Sequence, residues 1–125
     1  MSRKIVVIED DPDLQLVFRI ILENAGFTVM GYPDGEKLQT ESDQLPALFL
    51  LDNQLPGKSG IEICRMLKSS PETRDIPVVI ISAHKNLGER ASAAGAAAFV
   101  EKPFDYGELT RLITSLVEKA AAKEG

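Results

Sequence analysis

Two periods of apolar residues alternate along the chain. Ile5-Val6-Val7-Ile8 is short, β-branched and apolar throughout, the pattern of a strand buried on both faces. Asp11 comes next as a helix N-cap, with Pro12 at the first helical position. Leu14, Val17, Phe18, Ile21, Leu22 and Ala25 then recur at helical spacing on one face, and Gly26 supplies a left-handed cap at the end. Residues 27–30 read as a second, weaker strand. A short helix is expected over residues 35–39 and a polar loop over 40–46. Residues 47–51 form a third apolar run, and Pro56-Gly57 is turn chemistry. Ser59 with Glu62 three residues on is a capping box, opening a helix that runs to about Ser69. After a loop at residues 71–75, a fourth strand spans 77–81, with proline at its first position, where it costs least. A helix near residues 87–94 and a short strand at 98–100 come next. The last helix opens at Asp105, with Glu108 three residues later, and carries Leu109, Leu112, Ile113, Leu116, Val117 and Ala120 on one face.

Five strand–helix alternations predict an α/β fold with helices on both faces of a parallel sheet, because parallel strands need crossover connections. The expected architecture is a doubly wound, five-stranded parallel sheet of the flavodoxin-like kind, strand order 2-1-3-4-5. Neither an internal repeat nor a linker interrupts it, so residues 1–125 read as a single domain. The last helix uses the chain to about Lys119, and no effector domain is expected.

Composition narrows the class without changing the fold. The chain has 125 residues, 44% hydrophobic and 26% charged, which argues against disorder. Its net charge of −5 argues against direct nucleic-acid binding. Cys64 is the one cysteine, so neither an intrachain disulfide nor a cysteine-based zinc site is available, and it reads as a small buried hydrophobe. No apolar run approaches the roughly 20 residues needed to span a membrane, and the first stops at Glu9, too short for a signal peptide. A cytoplasmic location is the expectation, with no membrane contact.

The polar residues at the end of each apolar run carry the chemistry. The first strand leads into Glu9-Asp10-Asp11, the third into Asp52-Asn53, the fourth into Ser82-Ala83 and the fifth into Glu101-Lys102-Pro103. In a parallel sheet these carboxyl ends share one edge, and ligands bind at the switch point between the first and third strands. Glu9, Asp10 and Asp52 packed together repel unless a cation sits among them, and an all-oxygen set selects a hard cation such as Mg²⁺. With Lys102 and the Ser82 hydroxyl opposite, this is a constellation for phosphoryl transfer, in which Asp52 attacks phosphorus.

At those residues the chain resembles the receiver domain of two-component response regulators over essentially its whole length. The matching stretches are Ile5 to Asp11, Leu51 to Gly60 (LDNQLPGKSG), Val79-Ile80-Ile81-Ser82-Ala83 and Phe99-Val100-Glu101-Lys102-Pro103-Phe104. The resemblance implies that Asp52 is the phosphoacceptor. It implies Mg²⁺ held by Asp10 and Asp52, by Glu9 through water, and by the Gln54 carbonyl. Ser82 and Lys102 would bind the phosphoryl group. Phe99 would change rotamer when Ser82 moves, and Gln54 and His84 would tune hydrolysis. The Lys102–Pro103 peptide bond is expected to be cis. The family departs here only in carrying Thr more often at position 82 and either Tyr or Phe at 99. Phe99 has no hydroxyl, so a switch there works by packing alone. The implied partners are a histidine kinase or histidine phosphotransfer protein and an unspecified downstream protein, read through the surface of the fourth helix, fifth strand and fifth helix. The domain is expected as a monomer or weak phosphorylation-dependent dimer that catalyses its own aspartyl phosphorylation and dephosphorylation.

Plainer roles stand beside these. Asp11 is a cap, and Asp13 a favourable first-turn charge. Taken singly, Ser82 could end a strand, Lys102 could snorkel past Phe104 and Phe99 could be ordinary core. The alternative function is a degenerate receiver that docks without phosphorylation, which has no need of Glu9, Asp10, Asp52, Ser82 and Lys102 together. An aspartyl phosphatase is a further rival, but such enzymes commonly carry a second Asp where this chain has Gln54.

Overall fold

The computed structural model describes residues 3–38 and 45–124. Five parallel strands, β1 (Lys4–Ile8), β2 (Thr28–Tyr32), β3 (Leu48–Asp52), β4 (Val78–Ser82) and β5 (Ala98–Glu101), form one sheet in the order β2-β1-β3-β4-β5. Among the described residues the helices are α1 (Pro12–Asn24), α2 (Gly60–Lys68), α3 (Gly88–Ala93) and α4 (Tyr106–Glu124).

Strand periodicity sorts the core into two layers. Ile5, Val7, Leu48, Leu50, Val79 and Ile81 point to the side covered by α1 and α4, where Phe18, Leu22, Leu109, Ile113 and Val117 meet them. Their neighbours Val6, Ile8, Phe49, Leu51, Val78 and Ile80 point to the other side, against Ile61, Cys64 and Leu67 of α2 and Ala91 of α3. β1, β3 and β4 are buried on both faces, which is why their sequences run apolar without alternation. Each fully buried aliphatic side chain contributes roughly 1.5–3 kcal/mol.

The helix ends obey their local chemistry. Asp11 Oδ1 accepts from the Asp13 N–H at 2.9 Å. At the far end of α1, Gly26 has φ +94°, and the Phe27 and Gly26 N–H groups return to the Leu22 and Glu23 carbonyls, a paired C-terminal cap. Ser59 and Glu62 form the expected reciprocal box on α2. Asp105 Oδ1 accepts from the Glu108 N–H at 2.8 Å at the start of α4.

One expected element differs. The described part of residues 35–39 is a turn, with Leu38 N–H donating to the Gly35 carbonyl at 3.3 Å. Asp34 Oδ1 captures the Glu36 N–H at 2.9 Å, and this side-chain bond competes with helix formation. Gln39, and residues 40–44 of the expected loop, lie outside the described residues. The surface expected of the fourth helix, fifth strand and fifth helix is therefore that of α3, β5 and α4. Strand pairing also runs later than the apolar runs: Asp52 pairs with Ile81, and Ser82 with Glu101, so both polar residues are the last of their strands. No described helix is long and apolar enough to cross a membrane.

Candidate functional site

The carboxyl edge of β1, β3, β4 and β5 gathers the polar residues that end the apolar runs of the sequence. Asp52 ends β3, 3% exposed, and Glu9 comes directly after β1, 2% exposed. Asp10 beside it is exposed. One oxygen from each of these three carboxylates lies within 4.8 Å of the others. Lys102 reaches in from the end of β5, its Nζ 3.0 Å from Asp52 Oδ2 and 3.4 Å from Glu9 Oε1. The other Asp52 oxygen, Oδ1, accepts from the Gln54 N–H at 3.1 Å. Ser82 is fully buried, its hydroxyl donating to Gln54 Oε1 at 2.7 Å and accepting from the His84 N–H at 3.0 Å.

Electrostatics register the crowding. The Glu9 carboxyl is pushed up to about 7: burial is the main cause, its hydrogen bond with Asp52 and the Asp52 charge add to it, and the Asp11 N–H and Lys102 only partly offset it. Burial works against the charge of Lys102. Its hydrogen bond to Asp52 and the charges of Asp52 and Glu9 outweigh that, so the ammonium is held above the ordinary lysine range. Two buried acids thus share one lysine. The donor set, three carboxylates with all-oxygen chemistry and an excess of negative charge, fits a hard divalent cation.

Backbone and neighbours hold these groups in place. Gln15 Nε2 donates to the carbonyls of Glu9 and Tyr32, each at 3.1 Å, pinning the end of β1 to the end of β2. Asn53 Oδ1 accepts from the Ile61 N–H at 3.0 Å and its carbonyl from Gly60 at 3.2 Å, which docks the start of α2 on the Asp52 strand end. Gly60 is required by that approach, because a Cβ there would fall 2.6 Å from the Asp52 carbonyl oxygen. The Lys102–Pro103 peptide bond is cis. Phe104 stacks on Phe18 of α1 with centroids 5.6 Å apart, anchoring the loop that carries Lys102.

Glu9, Asp10, Asp52, Gln54, Ser82 and Lys102 therefore meet at one edge. His84 reaches Ser82 through its main chain while the residue itself is exposed. Phe99 is half-buried, packed against the cluster that contains Leu87 and Ala91. The supporting residues Gln15, Asn53 and Gly60 escaped sequence reasoning. Asn53 and Gly60 sit within the Leu51-to-Gly60 motif, but Gln15 lies among helix residues with no signal of its own.

Residues 5–114 match the family model for the response regulator receiver domain. The chain belongs to the response regulator receiver family. It is 37% identical over 123 residues to the phosphate regulon transcriptional regulatory protein PhoB of Rhizobium meliloti, covering 96% of this chain and 54% of that protein. It is 31% identical to the polar-differentiation response regulator DivK of Brucella ovis, covering 96% of this chain and all of DivK. The receiver domain of a signal transduction histidine kinase from Syntrophus aciditrophicus superposes with a TM-score of 0.84 at 28% identity, over 93% of this chain and 90% of that one. The chain thus spans about half the length of the PhoB proteins it matches and the whole length of DivK. It is a receiver domain of two-component systems, on the flavodoxin-like sheet that its strand order establishes.

Proposed function

We propose that this receiver domain is a switch thrown by phosphorylation of Asp52. The observation that carries the reading is the buried Asp52 carboxylate, paired with Lys102 at 3.0 Å and crowded by Glu9 and Asp10. An oxygen of Asp52 attacks the phosphorus of a phosphohistidine, the phosphorus–nitrogen bond breaks, and the imidazole leaves with the bonding pair. Lys102 faces the oxygens where transition-state charge collects. Ser82, once it moves toward the phosphoryl group, donates to one of them. Asp10 and Asp52, with Glu9 and the Gln54 carbonyl, are the residues that would hold Mg²⁺, which supplies charge neutralisation for the incoming phosphoryl group. Later hydrolysis of the acyl phosphate resets the domain, with Gln54 and His84 flanking the group and setting its rate.

Movement of Ser82 toward the phosphoryl group vacates space for Phe99. A Cβ on Gly88 would fall 3.9 Å from the Phe99 ring, so that ring borders the start of α3. Its rearrangement changes the surface of α3, β5 and α4 that a downstream partner reads. Reversing a 1:99 population needs about 5.5 kcal/mol of differential stabilisation. The phosphodonor is a histidine kinase or histidine phosphotransfer protein. Incubation with phosphoramidate and Mg²⁺, followed by intact mass measurement, tests the reading. One added phosphoryl group is expected, absent when a chelator is present from the start and absent in Asp52→Asn. An unchanged mass, or a gain that persists in Asp52→Asn, contradicts it.

A further inference from the structure

A serine hydroxyl has one proton to donate, and here Gln54 takes it. Ser82 Oγ donates to Gln54 Oε1 at 2.7 Å, while its own oxygen is occupied by the His84 N–H at 3.0 Å. Gln54 is also tied to the acceptor, since its N–H donates to Asp52 Oδ1 at 3.1 Å. One residue of the β3–α2 loop thus bridges the nucleophile and the hydroxyl at the end of β4.

We propose that Gln54 is a positioning residue that opposes activation: its side-chain carbonyl competes with a phosphoryl oxygen on Asp52 for the single Ser82 proton. The inference rests on the proposed roles of Asp52 and Ser82 and goes beyond a general tuning of hydrolysis. The competition is asymmetric. Gln54 is exposed, so its freed carbonyl finds water, whereas Ser82 is fully buried and has no solvent partner in reserve. A charged phosphoryl oxygen is the stronger acceptor and wins, but part of its interaction is spent displacing Gln54. Removing the carbonyl leaves the resting hydroxyl unpaired and relieves that opposition.

Beryllofluoride, a phosphoryl analogue that binds carboxylates, is the probe. It is titrated with Mg²⁺ into the unsubstituted domain, Gln54→Met, Ser82→Ala and the double variant, with affinity read by calorimetry. Gln54→Met keeps the length of the side chain and removes its acceptor. It is expected to bind about threefold to tenfold more tightly, the worth of an ordinary hydrogen bond. In the Ser82→Ala background the same substitution is expected to change nothing. A purely structural role for Gln54 would move the melting temperature but would not produce this dependence on Ser82. Unchanged or weaker binding by Gln54→Met, or an equal gain with and without Ser82, overturns the proposal. Absence of binding by the unsubstituted domain would overturn the Asp52 reading itself, and this inference with it.

Discussion

At the residue scale, Glu9 makes the clearest demand on solution conditions. Its folded-state value of about 7 lies above the ordinary 4.5, so the folded chain holds this proton more tightly than the unfolded chain. The contribution to stability is therefore full below about 4.5 and is lost as pH rises toward 7. The metal-free domain is expected to lose stability across that window, as followed by urea denaturation. Glu9→Gln has no proton to lose and should show a shallower slope. Mg²⁺ should flatten the slope of the unsubstituted protein by taking over the charge. A metal-free Glu9→Gln profile as steep as that of the parent would show that Glu9 is not the group responsible. The crowding of Glu9 by Asp52 was legible in the residue order, because both end apolar runs that pair as neighbours in the sheet, but the depth of its burial was not. Ser82 is similar: its place in the cluster was legible, whereas its bond to Gln54 was not, because that bond crosses 28 positions of sequence.

At the scale of elements, the site depends on how α2 meets the end of β3. Gly60 leaves no room for a Cβ against the Asp52 carbonyl, and the obstacle is backbone, which cannot rotate away. Gly60→Ala is expected to cost about 1–3 kcal/mol of stability and to displace the loop that carries Gln54. Ser59→Ala removes only the cap and should cost about 1 kcal/mol. Thermal denaturation compares the two. Phosphorylation by a small donor should slow in Gly60→Ala and stay near normal in Ser59→Ala, and equal slowing in both would mean that α2 stability, not the close approach, governs the site. The order and type of β1, α1, β3, α2, β4 and α4 were legible because period and caps agreed at each. Residues 35–38 misled because Asp34 and Gly35 carry both helix-start and turn chemistry, and the Asp34 side-chain bond to Glu36 settles for the turn. The apolar runs stop one residue short of the strand ends at β3 and β4 because Asp52 and Ser82 are polar, while parallel pairing to Ile81 and Glu101 carries the ladder through them.

For the whole molecule, the net charge of −5 acquires a location. Three of its acids meet at the carboxyl edge with one lysine, at the switch point between the two halves of the sheet. That convergence was legible from four short stretches in order, because a parallel sheet sends every strand end to one side. What the sequence could not supply was the cross-bracing by Gln15, Asn53 and the Phe18–Phe104 stack, which arises from neighbours chosen by the fold. On the proposed function, this edge directs a phosphoryl group to one carboxylate out of three. Borohydride reduces an acyl phosphate to an alcohol, so a phosphorylated Asp52 becomes homoserine and can be located by peptide mass spectrometry. After phosphoramidate and Mg²⁺, homoserine is expected at position 52 alone, and none is expected when chelator is present during phosphorylation. Reduction at Asp10 or Glu9, or none at position 52, would contradict the account.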